Sequence, residues 1–459
     1  MAEDCADARR APQRHLFGTD GIRGVAGQFP MDRATAYALG VALGEAIANG
    51  RAGREVVLGM DTRESGPWLA ASVAGGLARA GIRTRFAGIV TTPAVAYLAR
   101  ARPFAAGVMI SASHNPYRDN GIKVFGPTGY KLPDEQEARI EQRMLALVEE
   151  GLEPAPAALE IEIGLAQAYA DYLASTFSGS LAGWRLVVDC AHGAAHALAP
   201  QLFRRLGAEV VAIGCSPNGR NINEDCGALH VEGLRRQVMA EGADLGVAFD
   251  GDADRAIFVA ANGRAVDGDV VLWMAATWLN ERGRLKGASG PTVVATVMSN
   301  LGLERALEAQ GIRMVRTAVG DKYVLEEMLR CGAVLGGEQS GHVIFLEYAT
   351  TGDGLLTALR VLEILQERGR KLHELAEGLK LYPQRLINVR VRERRALEAM
   401  SAVMQAIREA EVALGREGRV FIRYSGTEPL VRVMVEGAEA ELVEAHATRI
   451  AEALRRELG

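Results

Sequence analysis

One pattern recurs three times along this chain and limits what it folds into: an apolar strand, a loop, a helix closed by glycine, and a second short strand. In the first copy the stretch 56–61 leads through a helical pattern over 68–80 to Gly81, then to 85–87. In the second, 186–189 leads through 194–206 to Gly207 and 210–213. In the third, 293–296 leads through 303–310 to Gly311 and 314–316. Glycine suits the left-handed residue that ends many helices. After each copy another apolar stretch stops in a polar loop, at 111–116, 250–255 and 336–342. Strands alternating with helices form mainly parallel α/β sheets, whose ligands bind beyond the carboxyl ends of strands. Three related α/β domains would each aim one loop at a shared cleft. βα units also resemble one another by chance, so the repeat alone does not decide this.

Beyond residue 378 the pattern changes. Stretches 386–391, 420–424 and 430–435 read as strands, and 394–414 and 440–457 as helices, giving a smaller α+β domain. At 459 residues the chain is too long for one core. Breaks in the Pro- and Ala-rich stretch 151–159, at Asn262-Gly263 and near 378 divide it into 1–160, 161–262, 263–378 and 379–459. The net charge of -5 argues against a general nucleic-acid binder, so an anionic ligand must be met by locally placed bases. Five cysteines (Cys5, Cys190, Cys215, Cys226, Cys331) without a CxxC pair read as free thiols of a reducing cytosol. Residues 1–14 hold no apolar signal region, and no run reaches the roughly 18 apolar residues of a membrane span. The expectation is a cytoplasmic protein without nucleic-acid or membrane partners.

Four of the motifs have their own chemistry. The apolar run 105–110 reads as a buried strand that ends in Ser111, Ser113, His114 and Pro116. A hydroxyl beside an imidazole at a strand end is either a nucleophile or a polar turn. Asp250, Asp252 and Asp254 follow another apolar run and precede Arg255. In an extended segment that spacing puts three carboxylates on one side, where only a cation makes their proximity tolerable. Oxygen ligands alone favour a hard ion, Mg²⁺ beside a phosphate. An EF-hand is excluded, since Arg255 and Ala261 occupy its sixth and twelfth positions. Glu338, Gln339, Ser340 and His342 stand among three glycines, a set able to hydrogen-bond a polyol and move a proton. Arg423, Ser425, Gly426 and Thr427 make either a phosphate cradle or an ordinary hairpin, with Arg432 assisting or lying on a solvated face.

Two single cations are less specific. Lys123, if buried beside other cations, would lose its proton and act as a base; alone it reads as a surface residue. Arg23 shares a Gly-rich turn, 17–24, with Asp20, which suits a phosphate or an internal ion pair. No GxGxxG or P-loop lysine motif supports nucleotide binding. His15, His192, His196, His230, His373 and His446 have no partner pattern.

Taken in order, the stretches 17–24, 111–116, 250–255, 336–342 and 423–429 resemble those of the α-D-phosphohexomutases, over nearly the whole chain after residue 14. Gln339, where phosphomannomutase/phosphoglucomutase relatives tend to carry Met, is similar to the amino-sugar branch. The 14-residue extension and His192, where Asn is commoner, depart from the pattern without touching the proposed chemistry. The resemblance implies four domains around a cleft, the first three alike. It implies phosphoserine at Ser113 and one Mg²⁺ held by that phosphate, Asp250, Asp252 and Asp254. It further implies interconversion of glucosamine 6-phosphate and glucosamine 1-phosphate through a hexosamine 1,6-bisphosphate that also activates, feeding UDP-N-acetylglucosamine synthesis. Lys123 is then the expected base, His114 and Arg255 stabilise the site, and Arg23 and His342 share proton handling. Glu338 and Ser340 would hold sugar hydroxyls, while Arg423, Ser425, Gly426 and Thr427 grip the idle phosphate. The alternatives are a phosphoglucomutase/phosphomannomutase of broad specificity and, from another class, a sugar-phosphate sensor or metal-dependent phosphatase. A homodimer is left open.

Overall fold

Each repeat folds as four strands in one spatial order: fourth, third, first, second. In the first sheet these are Asp119–Phe125, Ala106–Ile110, Glu55–Met60 and Arg83–Ile89, with Gly21–Val25 and Phe17–Gly18 added at the edge. In the second they are Ala256–Ala260, Leu245–Phe249, Arg185–Asp189 and Glu209–Ile213, edged by Ala265–Val266. In the third they are Val343–Phe345, Leu335–Gly337, Thr292–Thr296 and Arg313–Thr317. Third and first strands run parallel in all three, and the fourth turns back antiparallel to the third. The sheets are therefore mixed rather than mainly parallel as expected: the first has three antiparallel pairings to two parallel and the second has two of each, because the fourth strand and the edge strands turn back instead of crossing over through a helix.

This computed structural model describes residues 16–48, 53–424 and 429–459. Ser425, Gly426 and Thr427 lie outside the described residues. The chain divides into two compact units, Met1–Val297 with Met314–Ala376, and Met298–Arg313 with Glu377–Gly459. In the first unit the strands Ala106–Ile110, Leu245–Phe249 and Thr292–Thr296 are buried at every position. Their uncharged, largely apolar sequences fit strands covered on both faces. Each reversal from third to fourth strand leaves a polar loop at the third strand's carboxyl end. The repeat thus fixes where the three candidate loops stand.

The second unit contains the antiparallel sheet Gln384–Arg390, Leu430–Gly437 and Gly418–Tyr424. Val431, Val433 and Val435 alternate inward against Val403, Ala410, Ala447, Ile450 and Leu454 of the helices Ser401–Leu414 and Ala440–Leu458. The first of these helices begins later than its sequence pattern suggests. A short turn, Leu397–Ala399, precedes it, and Met400 is extended and fully buried, so core packing of that side chain ends the helix there. The sheet's other face is exposed at Leu386, Asn388 and Arg390 but closed at its Glu436 end. Glu436 is fully buried, accepting from Leu301 N–H at 2.9 Å and from Arg419 Nε at 2.6 Å. Among the described residues no helix is long and apolar enough to cross a membrane.

Candidate active site

The three loops meet inside the first unit, and two glycines permit it. A Cβ on Gly251 would stand 2.5 Å from Ser113 O, and one on Gly341, whose φ is +92°, would stand 2.4 Å from Ala256 O. Gly341 O in turn accepts Ala256 N–H at 3.1 Å. Only a residue without a side chain allows such approach.

Ser113 adopts the left-handed conformation at φ +53°, sparsely populated for a residue with a side chain. Its surroundings hold it there. Ser113 N–H donates to Ser111 Oγ at 2.9 Å, and Ser111 Oγ donates to Asp61 Oδ2 at 2.6 Å. The fully buried Arg63 donates to Ser113 O at 3.1 Å, Asn115 O at 2.6 Å and Asp119 O at 2.7 Å, and pairs with Asp61 at 2.8 Å. Asn223 Nδ2 donates to the same Ser113 and Asn115 carbonyls at 2.9 and 3.1 Å. The hydroxyl is thereby aimed at Asp250 Oδ2, 2.5 Å away, with His114 Nδ1 at 3.4 Å. Burial, then the charges of Arg255 and Arg23, push the His114 imidazole down to about 3, so this ring is neutral.

Asp250, Asp252 and Asp254 are buried, with one oxygen of each within 4.8 Å of the others. They converge, though not through an extended segment. The chain turns, with Ala253 left-handed at φ +57° and its N–H bonded to Asp250 O at 3.0 Å. Burial and the two neighbouring aspartates raise the Asp250 carboxyl well above the usual range. Asp254 is depressed despite its burial, because Lys123, His342 and Arg255 face it. Among the described residues, Asp252 Oδ1 and Asp254 Oδ1 are buried without a hydrogen-bond partner. Two orphaned carboxylate oxygens, a third carboxyl whose pKa burial and repulsion raise, and the Ser113 hydroxyl form an all-oxygen set, which fits a hard divalent cation such as Mg²⁺.

Lys123 is buried, but its environment is not the cationic one expected. Its Nζ lies 2.9 Å from Asp20 Oδ2, 2.9 Å from Asp252 Oδ2 and 3.3 Å from Asp254 Oδ2. Burial opposes the charge, yet the three carboxylates outweigh it and hold the ammonium well above its ordinary pKa. Arg23 ion-pairs with Asp20, the internal pair that the turn allowed, and reaches Asn115 Oδ1 at 3.4 Å. Asp20 also meets Lys131 at 2.6 Å, and Lys131 meets Asp321 at 2.5 Å. A chain of alternating charges thus runs from Asp321, at the start of the helix Asp321–Cys331, to the aspartate triplet. Arg255 sends its N–H to Asp250 Oδ1 at 3.2 Å.

In the third loop Glu338 Oε1 accepts Gly320 N–H at 3.1 Å, and Gln339 Nε2 donates to Asp267 Oδ2 at 3.2 Å. Ser340 Oγ is among the buried oxygens without a hydrogen-bond partner in the described residues. His342 is buried, its Nε2 accepting Gly352 N–H at 3.0 Å and its Nδ1 3.7 Å from Asp254 Oδ1. The second distance is a charge contact rather than a hydrogen bond. In the second unit, Arg423 and Arg432 are register partners on adjacent strands. Burial, then Arg432, lowers the Arg423 guanidinium pKa.

Asp61, Arg63 and Asn223 position Ser113 but have no motif of their own. A signal for one existed: the first strand ends in aspartate in two repeats, and Asp61 and Asp189 each accept the N–H two residues on, at 2.9 and 3.0 Å. Asp321 closes the stretch 316–321, which resembles the amino-sugar branch of the family, whereas Lys131 has no such signal. His192 engages through its backbone, accepting at its carbonyl from Thr62 Oγ1 at 2.6 Å, and its Nδ1 accepts Ser216 N–H at 3.1 Å.

Models of the phosphoglucomutase/phosphomannomutase α/β/α domains I, II and III match residues 14–150, 167–263 and 267–382, and that of the C-terminal domain matches 386–453. The chain belongs to the phosphoglucomutase/phosphomannomutase family. It is accordingly an isomerase of the phosphohexomutase type. It is 60% identical over 446 residues to phosphoglucosamine mutase of Solibacter usitatus, covering 97% of this chain and 99% of that one. To the phosphoglucosamine mutase of Koribacter versatilis it is 50% identical, with 98% of each covered. A family member of known structure from Burkholderia thailandensis superposes with a TM-score of 0.77 at 25% identity, covering 96% of this chain and 97% of that one.

Proposed function

We propose that this mutase-family chain interconverts glucosamine 6-phosphate and glucosamine 1-phosphate, with Ser113 as phosphate carrier and the 1,6-bisphosphate as intermediate. One observation carries the proposal: the Ser113 hydroxyl sits 2.5 Å from one of three converging buried aspartates. The amino-sugar part rests on the phosphoglucosamine mutase relatives at 50–60% identity. The proposal includes the division at 160, 262 and 378, with one motif loop per domain, and activation by a hexosamine or hexose bisphosphate.

Asp250, Asp252 and Asp254, with an oxygen of the phosphorylated Ser113, would hold Mg²⁺. When bound it neutralises phosphoryl oxygens and stabilises the departing serine oxygen. The protein's own part is positioning and proton transfer, which is most of what phosphoryl transfer requires. As the Ser113 Oγ–phosphorus bond breaks and the sugar oxygen–phosphorus bond forms, one proton moves from the sugar hydroxyl to Ser113 Oγ. Lys123 Nζ is the group assigned to carry it, giving its proton to the serine oxygen and taking one from the sugar; the reverse transfer inverts the roles. The neutral His114 hydrogen-bonds the transferring group, while Arg255 and Arg23 supply fixed positive charge. His342 fixes Asp254 and thereby the triplet. Glu338 and Ser340 hold sugar hydroxyls, the unpartnered Ser340 Oγ being free to do so. Arg423 and Arg432, with Ser425, Gly426 and Thr427, grip the phosphate that is not reacting. One clamp then serves both phosphates as the bisphosphate turns end over end.

The test is a set of coupled assays on glucosamine 1-phosphate, glucose 1-phosphate and mannose 1-phosphate. Preference for either neutral sugar overturns the amino-sugar reading. Release of free phosphate as fast as isomerisation overturns the mutase reading in favour of a phosphatase.

A further inference from the structure

Outside the catalytic loops, three thiols gather where the second sheet ends. Cys190 follows Asp189 on the first strand of that sheet, and Cys215 follows Ile213 on its parallel neighbour by two residues. Asp189 and Ile213 are register partners. Cys190 N–H donates to Ile213 O at 3.0 Å, and Cys215 Sγ donates to the same carbonyl at 3.2 Å. The shared carbonyl sets the Cys215 sulfur beside Cys190, and Cys226 precedes Gly227, whose N–H donates to Asp189 Oδ2 at 2.8 Å. Cys190 is buried and Cys215 half-buried.

The backbone around this pair is strained and wired to the carrier serine. Of the six non-glycine residues with left-handed backbone in the described structure, four are here: Ala191, His192, Asn223 and Asp225. Ala191 O accepts Asn223 N–H at 2.9 Å, and Asn223 holds the Ser113 and Asn115 carbonyls. His192 N–H donates to Gly214 O at 2.6 Å, tying the same turn to the residue before Cys215. Left-handed non-glycine residues persist only where the surroundings over-determine them. Their hold on Ser113 is therefore sensitive to small shifts at Cys190 or Cys215.

We propose that Cys190 and Cys215 form an oxidation site, closed to a disulfide by a hydroperoxide, and that closure withdraws Asn223 from the Ser113 loop. The Cys215 thiolate attacks the peroxide O–O bond and becomes a sulfenic acid, releasing water from hydrogen peroxide. The Cys190 sulfur then displaces hydroxide from that sulfenic acid, forming the S–S bond and a second water. Two electrons pass from the two thiols to the peroxide. The half-exposed Cys215 is the natural attacking sulfur, and Cys190 beside it lowers its pKa, while burial suits Cys190 to the resolving step. Drawing the two sulfurs together to a bond of about 2.05 Å must move a backbone. Cys190 is anchored by its buried strand, so the turns carrying Cys215, Ala191 and Asn223 move.

The experiment treats the full-length enzyme with hydrogen peroxide, maps peptides without reduction, and follows isomerisation before and after a dithiol reductant. The expected result is a Cys190–Cys215 cross-link, a rate lowered by about tenfold or more as the carrier loop is displaced, and recovery on reduction. Cys215→Ser should keep the starting rate and resist peroxide, whereas Cys226→Ser should respond like the parent. A map showing both thiols free, or equal inactivation of Cys215→Ser, overturns the proposal; a cross-link without loss of rate overturns the coupling to Ser113. The mapping arm stands whether or not the sugar assignment holds.

Discussion

Ser113 Oγ donates to Asp250 Oδ2 at 2.5 Å although the residues are 137 positions apart and close different sheets. The contact sets the Ser113 hydroxyl against a carboxyl whose pKa burial and its two neighbouring aspartates hold well above the usual range. Phosphate there adds further negative charge, so the arrangement is tolerable only with a cation beside it.

Asp250→Asn follows from that strain. An acid whose pKa rises on folding binds its proton more tightly in the native state, so it weakens the fold as pH climbs above its unfolded value. Without divalent cation at neutral pH, the variant should be more stable than the parent, since asparagine keeps the shape and removes the buried charge. Mg²⁺ should raise its melting temperature less than the parent's, and isomerisation should be lost. Calorimetry with EDTA and with Mg²⁺ checks this; a less stable cation-free variant contradicts it.

Asp353 offers a pH test away from the chemistry. Its carboxylate accepts from Tyr169 OH at 2.7 Å and from Leu356 N–H at 3.0 Å, and burial pushes it from 3.8 up to about 6. The fold is favoured by the proton below pH 4 and loses that contribution as pH rises to 6. A shift of two units is worth about 3 kcal/mol. Asp353→Asn keeps an oxygen for Leu356 and removes the titration, so its stability relative to the parent should rise by that amount between pH 4 and 7. Urea unfolding across that range checks it, and parallel pH curves would count against the burial argument.

Arg63 reaches three backbone carbonyls and one carboxylate, which a lysine's single ammonium cannot span. Arg63→Lys should lower kcat by about 10- to 100-fold through misplacement of Ser113, with KM nearly unchanged. A rise in KM alone would assign Arg63 to substrate binding instead.

Arg423→Ala should raise KM by about 10- to 100-fold, the value of one charge-assisted hydrogen bond to phosphate. Because Arg423 opposes Arg432 across the strand pair, the variant should not melt below the parent. Unchanged KM removes Arg423 from the clamp.

The sheets were legible because buried parallel strands leave uncharged, largely apolar runs, and the three reversals put Ser113, Asp250 and Glu338 at equivalent places. The aspartate cluster was legible in composition but not in shape: the left-handed Ala253 that folds it back is set by contact with neighbouring loops, not by its own residue type. Lys123 was misread because its anionic partners come from residues 20, 252 and 254, and long-range charge leaves no local mark. Arg63 and Asn223 act through backbone carbonyls, which no side-chain motif records. Arg432 was visible as the polar member of an alternating strand, but its pairing with Arg423 was not, and the burial of Glu436 on the same strand depends on the returning segment Met298–Arg313.

The central claim is that Ser113 carries the phosphoryl group. Intact mass of the purified enzyme, before and after phosphatase, tests it alongside Ser113→Ala assayed for isomerisation. The account predicts a parent heavier by one phosphoryl group that phosphatase removes together with activity, and an alanine variant without the added mass and without measurable turnover. An alanine variant that isomerises at the parent's rate would contradict it.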